Sequence, residues 1–224
     1  MLQQLRIQNF KSHEDSIIKF SNLTVLCGAN GVGKSSVIQS LLVLRESFLD
    51  KSNSSLNYLN LKTDAINIGC ANDALYQFCN EEIISFSIIS DIQTYNFAFK
   101  VDIARDSTKT LIEKVESGHH FDITRIYEES LFSTKCQFIS AARLGPLESY
   151  PKNDAVVDIH NQISVKEGKA EYFIHYLNRK RNVDVLDGLC HSKDLSKDLF
   201  TQTTAWEKEI SENVNVIVQD IGNL

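Results

Sequence analysis

The spacing of apolar side chains divides the chain into stretches of different period. In Leu2–Phe10, Leu5 and Ile7 fall two apart, Asn9 continues their face and Phe10 closes it, which predicts a strand. Ser16–Phe20 predicts a second, shorter one. Leu23-Thr24-Val25-Leu26-Cys27 is almost continuously apolar, the pattern of a strand buried on both faces of a mixed or parallel sheet. Beyond the glycines that follow, Val37, Leu41, Leu44 and Phe48 recur at helical spacing with Ile38 and Leu42 beside them. An amphipathic helix is therefore expected to about Leu49.

Residues 50–65 are polar and rich in Ser and Asn, which reads as a loop or a ragged connection. From Ile83 to Ile126 the period becomes two. Ile84, Phe86 and Ile88 lead into Tyr95, Phe97, Phe99, Val101 and Ile103, which alternate with Asn96, Ala98, Lys100 and Asp102; Leu111, Val115, Phe121 and Ile123 follow. Turns at Arg105-Asp106-Ser107 and Ser117-Gly118 would join these strands into an antiparallel meander with one wet face. Cys136–Ala141 reads as another buried strand. It runs into Arg143-Leu144-Gly145-Pro146, and the only two prolines, Pro146 and Pro151, mark a change of direction there. Beyond Ser164 the period turns helical: Phe173, Ile174 and Leu177 share a face, and a second amphipathic stretch surrounds Trp206.

Composition narrows the class without choosing a function. With 224 residues, 42% hydrophobic and 23% charged, the chain suits a soluble globular protein, and disordered, collagenous and coiled-coil readings fall away. A chain of this length buries roughly 70% of its unfolded surface, so no metal or disulfide staple is required. The net charge is −6, whereas a chain devoted to gripping nucleic acid is usually basic; any such contact must be local. Residues 1–45 hold five basic side chains against two acidic ones, a local +3 that leaves −9 for the rest. The N-terminus lacks the pattern of a secretory signal, and no run approaches the ~18 apolar residues of a membrane span. Cys27, Cys70, Cys79, Cys136 and Cys190 are odd in number, widely spaced and without a CxxC pair, as in reduced cytosolic thiols. The expectation is a soluble cytoplasmic protein.

The chemistry lies in Gly28-Ala29-Asn30-Gly31-Val32-Gly33-Lys34-Ser35, which fits G-x-x-x-x-G-K-[ST] between an apolar run and a helical one. Gly28, Gly31 and Gly33 permit the positive φ that bends a backbone into a nest of inward N–H groups. The helix that starts there adds unpaired N–H donors and the positive end of its dipole, both suited to a polyphosphate. Lys34 supplies a mobile charge for the β/γ-phosphates, Ser35 a hydroxyl small enough to ligate Mg²⁺, and Ser36 a contact on the α-phosphate side. The rival reading is a glycine-rich turn with a coincidental lysine.

With these residues in place, the chain resembles the N-terminal lobe of RecF/SMC-like ABC-type ATPases, in particular predicted ATPases found beside bacterial defence and repair genes. Leu5-Arg6-Ile7-Gln8-Asn9-Phe10-Lys11-Ser12-His13 is similar to that branch's opening I-x-N-F-[KR]-S-[FH]. Further echoes are Tyr58-Leu59-Asn60-Leu61, Ala74-Leu75-Tyr76 and Ile139-Ser140-Ala141-Ala142-Arg143-Leu144-Gly145-Pro146. The resemblance implies an α/β fold: a P-loop NTPase core with a mixed sheet, an antiparallel β-subdomain and a helical segment. The lobe would span 1–163 with the β-subdomain inserted at about 66–130, and 164–224 would lead toward a C-terminal lobe. It also implies ATP and Mg²⁺ as cofactors, with Lys11, Ser12 and His13 on the nucleotide rim. A homodimer or a partner chain would complete the site, an effector protein would respond to nucleotide state, and DNA is a candidate partner in repair or phage defence. On the residues alone, Phe10 as core and Lys11 as a solvated cation remains open.

The departures from that pattern are equally specific. Hydrolysis in this branch needs an apolar strand ending in Asp-Glu, a signature sequence and a switch histidine. Val214-Asn215-Val216-Ile217-Val218-Gln219-Asp220 is interrupted by Asn215 and Gln219, and Ile221 stands where the Glu belongs. The chain therefore reads as half an active site, with no catalytic residue of its own. Gln137 falls too early to serve as the metal-sensing glutamine, and Arg143 reads equally as a polar residue at the strand's end or as a surface arginine. His119-His120 and Cys190-His191 lack a second ligand pair. Arg179-Lys180-Arg181 reads as a solvated helix end or as a DNA patch. A small P-loop metabolite kinase and a non-hydrolysing nucleotide-sensing scaffold subunit are the alternative functions.

Overall fold

Alternating Leu5 and Ile7 start the sheet, and the aromatic residues two apart in Phe86 and Tyr95–Phe99 complete its core. A computed structural model describes all residues except 54, 104–108, 116–121, 146, 212–214 and 220–224. The strands are β1 (Leu2–Phe10), β2 (His13–Lys19), β3 (Tyr58–Asn60), β4 (Ile83–Ser90), β5 (Thr94–Lys100) and β6 (Leu111–Val115). They lie in the order β2-β1-β4-β5-β6-β3, and every ladder among the described residues is antiparallel. Register places Leu5 opposite Ile88 and Ile7 opposite Phe86, then Phe86 opposite Phe97 and Ile84 opposite Phe99. All seven are buried, so the core is a set of cross-strand rows on one face. Two compact units are distinguished, Met1–Cys136 and Gln137–Leu224.

Helix α1 (Lys34–Leu49) buries Val37, Leu42, Val43, Leu44 and Phe48. The buried face is broader than an apolar stripe predicts, because Ser40, Arg45 and Ser47 are also inside while Ile38 is exposed and Leu41 half-buried. Partners on two sides explain this. The Ser47 hydroxyl accepts from the Asn60 N–H at 2.7 Å. Arg45 donates to the carbonyls of Leu131 and, at 2.8 Å, Ser133. Phe48 meets the Phe132 ring edge-on at 5.2 Å.

Five expectations are corrected. Residues 50–65 are no plain loop: a 3-10 turn at Lys51–Asn53 leads into β3, which pairs with β6. Fully buried Asn53 organises it, donating to the carbonyls of Ser47 (2.8 Å) and Tyr58 (2.7 Å) and accepting from the N–H groups of Asn57 (2.7 Å) and Tyr58 (3.2 Å). Residues 23–27 form no strand, and Leu23 and Val25 are 79% and 70% exposed. A strand apolar on both faces needs ladder partners, and none of the described strands pairs with it. The expected mixed sheet is accordingly absent among the described residues. Cys136–Ala141 is likewise unladdered and Ile139 is exposed; the Ser140 N–H bonds instead to the Gly168 carbonyl at 2.9 Å. Ile123–Glu128 is a 3-10 turn capped by Asp122, not a strand. The two turns predicted near 105 and 117, His119-His120, Phe121, Val214 and Asp220 lie outside the described residues.

Helix α2 (Ala71–Ala74) belongs to the first unit, and the second holds α3 (Phe173–Arg179) and α4 (Leu199–Ile210). Leu177 and His175 are buried, while Phe173 and Ile174 are half-buried. Trp206 on α4 stays partly exposed and meets His191 edge-on at 4.9 Å. Residues 215–219 adopt no regular element.

Candidate functional site

The glycine-rich segment takes up the conformation its residue types allow. Gly28, Gly31 and Gly33 have φ of 151°, 86° and 98°, values that side chains bearing a Cβ rarely adopt. Gly33 is the N-cap of α1, no side chain caps that end, and the first turn holds no acidic residue. The helix therefore presents its free N–H groups and positive dipole end uncompensated. Lys34 curls back over the loop, its Nζ donating to the carbonyls of Gly28 (2.7 Å) and Ala29 (2.5 Å). An ammonium carries three N–H bonds, so one donor is left beyond these two.

The loop faces a cavity of about 1140 Å³. Lys11, Ser12, Asn30, Gly31, Gly33, Lys34, Ser35 and Ser36 line it. Of the remaining sequence candidates, Gly28, Ala29 and Val32 belong to the loop without lining the cavity, and His13 is buried behind it. Ser35 is exposed to the cavity, whereas Ser36 is buried. His13 Nε2 lies 3.0 Å from the Gly33 carbonyl, and Nδ1 lies 2.9 Å from the Ser16 hydroxyl.

The rest of the lining includes Asn72, Asp73, Tyr76, Asn80 and Glu82, of which the sequence marks only Tyr76, within the Ala74-Leu75-Tyr76 echo. It is tied to the β1–β2 turn. Lys11 and Tyr76 N–H groups donate to the carbonyls of Ala74 (2.7 Å) and Asn9 (3.0 Å), and Phe10 bridges to Leu75. Asn9 and Lys11 both have φ of 53°, which folds the turn against this segment. The Asp73 carboxylate is held below its usual range, first by the Cys70 N–H at 2.9 Å, with the Lys11 charge adding to it. Non-local pairing of this kind leaves no periodic trace; the Asp three residues after Cys70, capping the short α2, was the one local hint.

Weaker candidates resolve into structure. Arg179 is paired with Asp158 at 2.5 Å, and Arg181 lies 4.6 Å over the Phe200 ring, so two of the three basic residues are engaged. His191 Nε2 lies 3.2 Å from Glu209. Gln137 holds residues 161–163, accepting from the Ile163 N–H at 3.2 Å. Arg143 is exposed. All five cysteines are free thiols. Among the described residues no cluster of three His, Cys, Asp or Glu could hold a metal alone, and no helix is long and apolar enough to cross a membrane.

A glycine loop at a helix N-terminus facing a cavity is the arrangement of a nucleotide-binding ATPase domain. Residues 1–221 match the AAA ATPase domain family, and the chain belongs to it. The chain is similar to two archaeal proteins named DNA double-strand break repair Rad50 ATPase. That of Archaeoglobus fulgidus is 39% identical over 71 residues, covering 27% of this chain and 8% of the relative. That of Sulfolobus acidocaldarius is 46% identical over 43 residues, covering 19% of this chain and 5% of the relative. The chain thus spans less than a tenth of either relative. These matches bear out the resemblance to RecF/SMC-like ATPases and imply nucleotide binding.

Proposed function

We propose that this chain is the ATP-binding N-terminal half of a RecF/SMC-like ATPase acting in DNA repair or phage defence. The observation that carries this is the cavity bounded by the uncapped start of α1, Lys34 and the β1–β2 turn. Residues 28–36 would hold the triphosphate, the backbone N–H groups and Lys34 serving its β/γ end and Ser36 its α end, with Lys11 and Ser12 at the nucleotide rim. A phosphate oxygen takes the spare Lys34 donor or displaces a loop carbonyl. Mg²⁺ fits this donor set: it binds through few protein groups plus phosphates, and the exposed Ser35 hydroxyl is such a group. Held there, magnesium would supply charge neutralisation for the phosphates.

The chain's residues bind and orient but offer no Asp-Glu strand end to activate water. Hydrolysis therefore requires a further lobe with such a strand and, by family analogy, a head-to-head dimer, its nucleotide state governing an effector or a grip on DNA. The exposed, unladdered stretch 23–27 is where such a lobe would add a strand. Support for the repair role comes from the Rad50 relatives. Isothermal titration calorimetry with ATP and Mg²⁺ tests the reading. The full chain binds, Lys34→Ala lowers affinity at least about a hundredfold, and steady-state turnover stays near background. Turnover by this chain alone at ordinary ATPase rates would refute the half-site reading.

A further inference from the structure

We infer that His13 is the positioning residue of the glycine-rich loop, fixing through one hydrogen bond the peptide at which loop becomes helix. The inference rests on the nucleotide reading above and deepens it by naming what shapes the phosphate cradle from behind. His13 opens β2 and is only 9% exposed, a polar ring set among core residues and outside the cavity lining. Both ring nitrogens are engaged, Nε2 at 3.0 Å from the Gly33 carbonyl and Nδ1 at 2.9 Å from the Ser16 hydroxyl. A carbonyl can only accept, so Nε2 carries the proton and donates, and in the neutral ring Nδ1 then takes the Ser16 O–H. The Gly33 carbonyl thus selects the tautomer, and the Ser16 hydroxyl meets the other nitrogen and holds the ring in place.

The geometry of a peptide explains the consequence. The Gly33 C=O and the Lys34 N–H belong to one rigid plane and point in opposite directions. Anchoring the carbonyl toward His13 aims the Lys34 N–H away from it, and the cavity does not border His13. The same carbonyl accepts the first bond of α1, from the Val37 N–H at 3.2 Å. One imidazole proton therefore sets both the direction of a phosphate-facing donor and the start of the helix. The contact is close: a Cβ on Gly33 would fall 2.7 Å from Nε2.

The test is calorimetric titration of ATP with Mg²⁺ into the full chain and into His13→Ala, His13→Gln and His13→Asn. The Gln amide reaches the place of Nε2, and the Asn amide reaches only that of Nδ1. His13→Ala and His13→Asn are expected to lose about tenfold in affinity, the worth of one such bond, and His13→Gln to recover most of it. Circular dichroism and thermal unfolding identify variants that remain folded. If His13→Ala does not fold, the order of Gln over Asn still decides. Unchanged affinity in His13→Ala, or Gln no better than Asn, would overturn the inference while leaving nucleotide binding intact. A wild-type chain that binds no ATP would sink the nucleotide reading and this inference with it.

Discussion

Two glycines in the same loop are expected to respond very differently to a single methyl group. Gly31 has φ of 86° and nothing within 4 Å of the place a Cβ would occupy. Gly31→Ala therefore meets only the intrinsic penalty of the left-handed region, about 1–2 kcal/mol. Gly33, at φ of 98°, adds contacts at 2.5 Å to Ser12 Oγ and 2.7 Å to His13 Nε2. The Ser12 hydroxyl can rotate aside. The His13 ring cannot, because Ser16 and the Gly33 carbonyl hold it on both sides. Relief then requires the β1–β2 turn to shift, which adds overpacking of about 1–3 kcal/mol and loosens a hydrogen bond worth about 1 kcal/mol. Gly33→Ala should thus cost about 3–6 kcal/mol, against about 1–2 for Gly31→Ala. Urea unfolding of the full chain reads the difference as a lower midpoint at constant slope. Adding His13→Ala to Gly33→Ala should cost less than the sum of the single changes by 1 kcal/mol or more. Equal losses for the two glycines, or strict additivity, would show that the turn does not brace the loop.

The other expectations concern the frame around the site. Asn53→Ala leaves four backbone groups without their buried partner and should cost about 3–5 kcal/mol in urea unfolding; a loss under 1 kcal/mol would mean water replaces the side chain. Burial pushes the Glu46 carboxyl up from its ordinary 4.5, with the Arg45 charge pulling back. The folded state then holds this proton more tightly than the unfolded one, so stability falls as pH rises through the folded-state value. Glu46→Gln should flatten that slope, matching wild type below 4.5 and exceeding it at neutral pH; a variant less stable at neutral pH would show the Arg45 contact to dominate.

How much of this was legible follows from what each residue type must do locally. Glycines at 28, 31 and 33 followed by Lys34 and Ser35 announce themselves, since positive φ and a helix start leave few substitutes. The alternation in Tyr95–Phe99 reads directly because side-chain direction has period two. The place of Asn72–Glu82 in the cavity wall could not be read, although Ala74-Leu75-Tyr76 resembled the family, because it is held by bonds to residues some 65 positions earlier, Lys11 to Ala74 and Asn9 to Tyr76. β3 escaped notice because three residues in a polar stretch carry no period, and their stability comes from Asn53 and Ser47. Leu23–Cys27 misled in the opposite sense: apolar continuity reports what a strand needs on its faces, not whether a neighbour supplies its ladder.

That last difference changes where the shape of the loop originates. Among the described residues no strand pairs with 23–27, so the chain entering the glycines has no sheet partner there, and the exposed Leu23 and Val25 give it little packing. The loop's exit, in contrast, is fixed three ways: α1 is packed through Val37 and Leu44, the Gly33 carbonyl takes the Val37 N–H, and His13 holds the same carbonyl from the β1–β2 turn. Order in the phosphate cradle thus propagates from Gly33 backwards. A ligand that displaces the Gly28 or Ala29 carbonyl from Lys34 changes the bonds that hold the loop's entry, so phosphate binding and the setting of residues 23–27 act on the same few bonds. Any lobe that pairs with 23–27 would brace the entry as His13 braces the exit, and its docking and nucleotide binding would each favour the other by linkage.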